Sequence, residues 1–181
     1  MARAITTFLS AITSESWEAP VLYRNPSGVA DGQTVDLAGH LLTAETTGRR
    51  VSITRNVAAN VNNVDLQAAT LVDRYLGRRL NSPNDLVVKS DGSVWFTDPS
   101  YGSLQFPPQT AALPNNVYRY DVATKRLSVV EGSLVMPNGI AFGPGEKTLY
   151  IIDSGQLIRS FYVGKRVFKL ALPRSIRGKS K

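Results

Sequence analysis

The strongest constraint on the fold of this chain is a hairpin unit that occurs three times. In the clearest copy, two apolar runs, Leu86–Val88 and Val94–Phe96, flank a turn that contains Asp91 and Gly92. An Asp-Gly pair between two short apolar runs is a strong signal for a β-hairpin. The three copies cover residues 30–45, 81–98 and 137–153. No segment has a sustained helical period, so we expect almost no helix.

Two landmarks recur with nearly constant spacing in these copies. The polar residues that open the hairpins are 53 and 54 residues apart, and the carboxylates that close them are 53 and 55 residues apart. The opening residues are Asp31, Asn84 and Asn138, and the closing residues are Glu45, Asp98 and Asp153. A repeat of about this length is typical of propeller blades rather than of helical repeats. We therefore predict an all-β fold, a partial β-propeller of about three blades.

The repeats divide the chain into three parts. Residues 30–172 are predicted to form the propeller blades, residues 1–29 are interpreted as a remnant of a preceding blade or as a disordered segment, and residues 173–181 form a basic tail. Propellers close with about four to eight blades, so an arc of three leaves blade faces and strand edges open. The sequence thus predicts either a truncated product or a homo-oligomer that assembles through the open blade edges.

The net charge of +7 is confined to the end of the chain. Residues 1–153 carry 13 Lys and Arg against 14 Asp and Glu, whereas residues 154–181 carry 8 basic residues and no acidic ones. Because no aromatic platform or groove-reading motif accompanies this basic end, we expect neither nucleic acid nor membrane as a partner. The chain has no cysteine, which is compatible with a reducing compartment, and we expect a cytoplasmic location.

The opening residues of the three hairpins are candidate cation ligands. In a propeller the innermost strands surround a central tunnel, so equivalent positions on successive blades point at one axis. Amide and carboxylate oxygens from Asp31, Asn84 and Asn138 suit a hard cation. The alternative is that these side chains make local turns with the backbone at strand starts. Repeat spacing alone leaves both interpretations open.

Other polar and aromatic residues receive structural interpretations. The closing carboxylates are expected to cap local backbone groups, and Trp95 and Tyr150 are expected to lie in the core. His40 is the only histidine, and no Ser or Cys nucleophile is arranged with it, so we expect it to be exposed and without a role. A histidine-dependent catalytic triad is therefore not predicted.

Two longer motifs resemble a known family. Residues 79–102, with Asn84 in a Pro-Asn-Asp sequence, and residues 136–154, with Asn138 in a Pro-Asn-Gly sequence, are similar to signatures of the gluconolactonase family. This family also includes senescence marker protein and luciferin-regenerating enzyme. Residues 30–36 resemble the preceding blade, and the similarity extends over residues 24–172. The resemblance implies a six-bladed propeller that hydrolyses sugar lactones with a divalent cation, calcium, at one tunnel mouth.

The resemblance also assigns roles to particular residues. Asn138 matches a metal ligand, and Asn84 matches a residue beside the metal that contacts the lactone substrate or ligates directly. Asp31 stands where many members of the family have Asn, which keeps an oxygen and adds a charge. Members of the family take a Glu ligand from a Glu-Gly-Pro motif and an Asp ligand from a Pro-Asp-Gly motif, and neither motif occurs in this sequence.

Without those two carboxylates, the cation is expected to bind weakly, because affinity depends on the charge of the ligands. We therefore expect a truncated lactone hydrolase with little or no activity of its own. The alternative is a non-catalytic propeller fragment that acts as a binding or structural module and associates with itself.

Overall fold

The computed structural model describes residues 7–9, 21–55, 68–155 and 166–172. This part of the chain is built almost entirely of β-strands, as predicted, with one α-helix, α1 (Tyr101–Gln105), and a 3-10 turn at Pro144–Glu146. No helix in the described ranges is long and apolar enough to cross a membrane. The strands are β1 (Thr7–Leu9), β2 (Val21–Arg24), β3 (Ala30–Val35), β4 (Leu41–Glu45), β5 (Arg50–Thr54), β6 (Ala69–Val72), β7 (Arg74–Tyr75), β8 (Arg78–Arg79), β9 (Leu86–Val88), β10 (Val94–Asp98), β11 (Asn116–Asp121), β12 (Arg126–Glu131), β13 (Pro137–Phe142), β14 (Thr148–Asp153) and β15 (Arg166–Ala171).

Three antiparallel sheets follow one another along the chain. The first blade has the strand order β3-β4-β5-β6, the middle blade β9-β10-β11-β12, and the third blade β13-β14-β15. Each strand pairs with its sequence neighbour, which is the up-and-down order of a propeller blade. The three predicted hairpins are β3-β4, β9-β10 and β13-β14. The prediction of a partial propeller is confirmed.

The segment before the first blade contains a separate two-stranded sheet, in which β1 pairs with β2. Its interpretation as the remnant of a preceding blade stays a prediction. The basic tail, residues 173–181, lies outside the described residues.

Two hydrophobic clusters hold the blades together. One joins the first and middle blades through Leu42, Val51 and Phe96, and the other joins the middle and third blades through Trp95 and Leu149, each of them at most 1% exposed. Successive side chains of a strand point to opposite faces. Trp95 and Phe96 therefore face different neighbours, and all five residues of β10 are buried.

The prediction that Tyr150 belongs to the core is wrong, since its side chain is 38% exposed. Its neighbours Leu149 and Ile151 pack against the middle blade. Tyr150 alternates with them along β14 and so points away from that cluster. Trp95 is buried, as predicted, because the middle blade has a blade on each face.

The closing carboxylates of the middle and third blades hold backbone N–H groups. Asp98 accepts hydrogen bonds from the N–H groups of Asn81 and Ser82 at 2.9 and 2.8 Å. Asp153 accepts equivalent bonds from Val135 and Met136 at 3.2 and 2.8 Å. The structural interpretation of these two residues agrees with this geometry, and each carboxylate fixes the connection that leads into the inner strand of its own blade.

Glu45 closes the first blade by a different means. Its carboxylate accepts hydrogen bonds from Arg24 Nη1 at 2.8 Å and from Arg50 Nε at 2.7 Å. Although burial opposes ionisation, the hydrogen bond from Arg50 and the charges of both arginines lower the pKa of Glu45. This buried ion pair ties β2 to the first blade.

The inner strands of the three blades are also linked directly at their openings. The Gly32 N–H donates to the Asn84 carbonyl at 2.7 Å, and Asp85 Oδ2 accepts the Ile140 N–H at 2.9 Å. A Cβ on Gly32 would lie 2.4 Å from Asp85 Oδ1 and 2.7 Å from Asp85 Cα. The close approach of the first and middle blades therefore requires a residue without a side chain at position 32.

The substitution Gly32→Ala tests this close approach. We expect it to lower the free energy of unfolding by about 1–3 kcal/mol, because backbone atoms must move to admit the methyl group. Gly132→Ala is the matched control, since its Cβ would meet only the Asn116 side chain, at 3.0 Å, and the Val129 side chain, at 3.8 Å. Chemical denaturation should show a change within about 0.5 kcal/mol for this control. Equal effects of the two substitutions would contradict the account of the blade junction.

The pH dependence of stability tests the environment of Asp98. Complete burial raises the pKa of Asp98 to about 7 from 3.8, against the lowering effect of the two N–H groups and Arg49. A group whose pKa is higher in the folded chain contributes stability at low pH, and this contribution is lost as pH rises. We expect the stability advantage of the wild type over Asp98→Asn, measured by denaturation, to shrink between about pH 4 and pH 7. An advantage that grows over this range would show that Asp98 is ionised throughout.

Candidate functional site at the openings of the inner strands

The opening residues of the three hairpins lie at one end of the inner strands. Asp31 and Asn138 are the second residues of β3 and β13, and Asn84 lies just before β9. Asn84 is 7% exposed, and its Nδ2 donates a hydrogen bond to Oδ2 of Asp31. The structure thus brings together side chains from adjacent blades that are 53 residues apart in sequence.

Asn138 is held at this end by two residues of the middle blade. Thr97 Oγ1 donates to the Asn138 carbonyl oxygen at 2.7 Å. The Asn138 side chain donates through Nδ2 to Tyr101 Oη at 3.2 Å. Tyr101 begins α1, which lies in the long connection between β10 and β11. Middle-blade groups therefore fix both the backbone and the amide plane of Asn138.

The orientation of the two amides leaves their oxygens available. Both Nδ2 atoms are engaged by a neighbour, Asn84 by Asp31 and Asn138 by Tyr101. Within the described ranges, no group donates a hydrogen bond to Oδ1 of Asn84 or Asn138. Amide oxygens without a donor are suitable ligands for a hard cation. The predicted cation site is therefore compatible with the chemistry of these residues.

Negative charge accumulates beside the amides. Burial raises the pKa of Asp31, and the nearby Asp85 carboxylate raises it further, while the hydrogen bond from Asn84 lowers it. Among the described residues, no Lys, Arg or His forms an ion pair with Asp31 or Asp85. A bound cation would relieve the repulsion between these two carboxylates.

The donor set is rich in amides and poor in carboxylates. The described part of the chain contains no cluster of three or more His, Cys, Asp or Glu side chains that could hold a metal ion. A cation at this end would therefore depend on amide oxygens together with the nearby carboxylates of Asp31 and Asp85. The assignment of Asn84 and Asn138 as metal ligands, and of Asn84 as a substrate contact, stays a prediction.

His40 lies at the opposite end of the first blade. Its Nδ1 is 2.8 Å from Asp36 Oδ2, and its side chain is 27% exposed. The expectation that His40 is exposed is therefore wrong, because the turn between β3 and β4 brings it back to Asp36. The expectation that His40 has no role stays a prediction. His40 lies just before β4, next to the end of β3. Asn84 lies beside Gly32, near the start of β3, so the two residues are separated by the length of this strand.

A cleft of about 500 Å³ also lies at this opposite end, between the turns of the first and middle blades. Its carboxylates are Asp36, Asp91 and Asp121. Each one accepts a hydrogen bond from a backbone N–H of its own turn, at 2.8 to 3.0 Å. These carboxylates are explained by turn formation, and the cleft is separate from the site at Asn84.

Sequence reasoning identified the three opening residues and missed Asp85, Thr97 and Tyr101. Asp85 directly follows Asn84 in the Pro-Asn-Asp sequence, so its position was the available signal. The hydroxyl contacts of Thr97 and Tyr101 with Asn138 have no signal in the repeat, because they cross from one blade to the next.

Known proteins are similar to this chain in sequence and in fold. The chain is 38% identical over 105 residues to a gluconolactonase of Zymomonas mobilis, a match that covers 57% of this chain and 29% of the relative. It is 35% identical over 89 residues to a lactonohydrolase of Aspergillus oryzae, which covers 47% of this chain and 20% of that protein. The solved structure of a gluconolactonase from Xanthomonas campestris superimposes with a TM-score of 0.71 at 32% identity, covering 85% of this chain and 48% of that one.

The chain spans about half the length of that solved structure and less than a third of the two curated relatives. The model of the family described as the SMP-30/gluconolactonase/LRE-like region matches residues 54–164, which include Asn84, Asn138 and the elements that position them. With three consecutive blades of the matching architecture, the chain belongs to the SMP-30/gluconolactonase/LRE-like family.

Proposed function

We propose that this chain carries part of the active site of a sugar lactone hydrolase that uses a divalent cation, calcium. The observation that carries the proposal is the arrangement of Asn84 and Asn138. Two amides from adjacent blades lie at one end of the inner strands, with their nitrogens engaged and their oxygens free of donors. The similarity to gluconolactonases from two bacteria supports the choice of a lactone as substrate.

In this proposal, Asn84 Oδ1 and Asn138 Oδ1 hold the cation. When bound, a divalent cation polarises a carbonyl group and lowers the pKa of a water molecule. The amide of Asn84 has a second Nδ2 hydrogen besides the one donated to Asp31. This hydrogen is available to a lactone oxygen, which gives Asn84 its role as the substrate contact.

The surrounding residues orient these two amides. Tyr101 Oη accepts a hydrogen bond from Nδ2 of Asn138 and so holds this amide in place. Thr97 donates a hydrogen bond to the Asn138 carbonyl oxygen. Asp85 accepts a hydrogen bond from the N–H of Ile140, two residues further along β13. A preorganised donor set of this kind lowers the cost of ordering the ligands when the cation binds.

A second candidate function is a non-catalytic module that associates with itself. It is favoured by the outer face of the third blade, where Tyr150 and Val167 are 38% and 66% exposed. A second copy of the chain that covers this face would bury both side chains. The partners in this case are identical chains that meet through open blade edges, and a lactone has no role.

Hydrolysis of glucono-δ-lactone by the purified chain tests the proposal. The motifs alone lead to an expectation of little or no hydrolysis, but Asp31 places a carboxylate beside Asn84. We therefore expect a slow rate that rises with added calcium and stops with chelator. Asn138→Ala should reduce the calcium-dependent rate by roughly tenfold or more, since one ligand is lost. The control Gln105→Ala removes an exposed amide from α1 and should leave the rate unchanged.

A folded chain with no calcium-dependent hydrolysis would contradict the lactonase proposal. If sedimentation velocity then shows a stable dimer, the self-associating module is the better account. Hydrolysis that is equally fast in Asn138→Ala and the wild type would also contradict the role assigned to Asn138.

A further inference from the structure

We propose that Asp31 supplies the anionic ligand of the cation site, so that three consecutive blades each contribute one oxygen. This inference rests on the cation-assisted function proposed above and deepens it. The chain then provides one carboxylate and two amides, from Asp31, Asn84 and Asn138.

Asp31 has the same position in its blade as Asn138. Asp31 is the second residue of β3, as Asn138 is of β13, so the two occupy equivalent openings of the first and third blades. Asn84, between them, donates Nδ2 to Oδ2 of Asp31. The Asp31 carboxylate therefore lies next to the amide whose Oδ1 has no donor within the described residues. Asn84 is 7% exposed, so this oxygen belongs to a buried side chain.

Charge at the opening also favours a cation. Asp31 is exposed at the start of β3, so a cation from solvent can reach its carboxylate. Glu45 has two arginines, and Asp98 and Asp153 each accept backbone N–H groups. Asp31 has the single side-chain donor of Asn84, and Asp85 faces it with a second negative charge. A divalent cation compensates this charge where the described residues provide no Lys, Arg or His.

A cation ligand and a simple hydrogen-bond acceptor make different demands on residue 31. An amide at position 31 would accept the Asn84 hydrogen bond through its own oxygen. The hydrogen bond alone therefore does not require a carboxylate at this position. A carboxylate adds negative charge, and cation affinity in oxygen sites increases with the charge of the ligands.

The test is calcium binding by the purified chain without any lactone, measured by isothermal titration calorimetry. Asp31→Asn keeps the acceptor oxygen and removes the charge, and we expect it to weaken calcium binding by roughly tenfold or more. Asp31→Glu keeps the charge and should retain a larger share of the affinity. The control Asp121→Asn removes one negative charge from a turn at the opposite end of the middle blade and should bind calcium like the wild type.

Equal calcium affinity of Asp31→Asn and the wild type, or no calcium binding by the wild type, would overturn the assignment of Asp31. Circular dichroism of each variant checks that the blades remain folded. Because no lactone is present, the result is independent of catalysis. Calcium binding that depends on Asp31 in a chain without lactonase activity would support this inference and contradict the hydrolytic function.

Discussion

The junction of the inner strands at Gly32, Asn84 and Asp85 is the contact on which the rest of the arrangement depends. One backbone hydrogen bond joins Gly32 to Asn84. The Asp85 carboxylate accepts a hydrogen bond from the N–H of Ile140. These bonds bring the openings of three blades together, whereas the two hydrophobic clusters fill the space between the sheets. The candidate site is a direct consequence of this junction, because Asn84 is part of it and Asp31 and Asn138 lie within two residues of Gly32 and Ile140.

Burial and charge at this junction have opposite effects on the packing of the blades. The hydrophobic clusters favour close packing of the blades, but the same packing places Asp31 near Asp85, and burial raises the pKa of Asp31. The buried carboxylates of Glu45 and Asp153 are compensated by arginines and by backbone N–H groups, respectively. Asp31 is exposed, and its one side-chain donor among the described residues is Asn84.

The repeat in the sequence was sufficient to predict the blades and the three opening residues, because strand alternation and turn chemistry are local properties. It was not sufficient for contacts between blades. Thr97 and Tyr101 reach Asn138 through packing that the repeat does not encode. Tyr150 was placed in the core by analogy with Trp95, although the burial of Trp95 depends on having a blade on each face.

Paramagnetic relaxation by Mn²⁺ tests most directly whether Asn84 and Asn138 face one cation. Mn²⁺ accepts the same oxygen ligands as other hard divalent cations, and it broadens the NMR signals of nearby protons. The account predicts that the side-chain amide signals of both residues broaden together at low Mn²⁺ concentration. The indole N–H of Trp95, which donates to Ser93 at the far end of the same blade, should stay sharp. Broadening of the Trp95 signal first, or of only one of the two amides, would contradict a shared site.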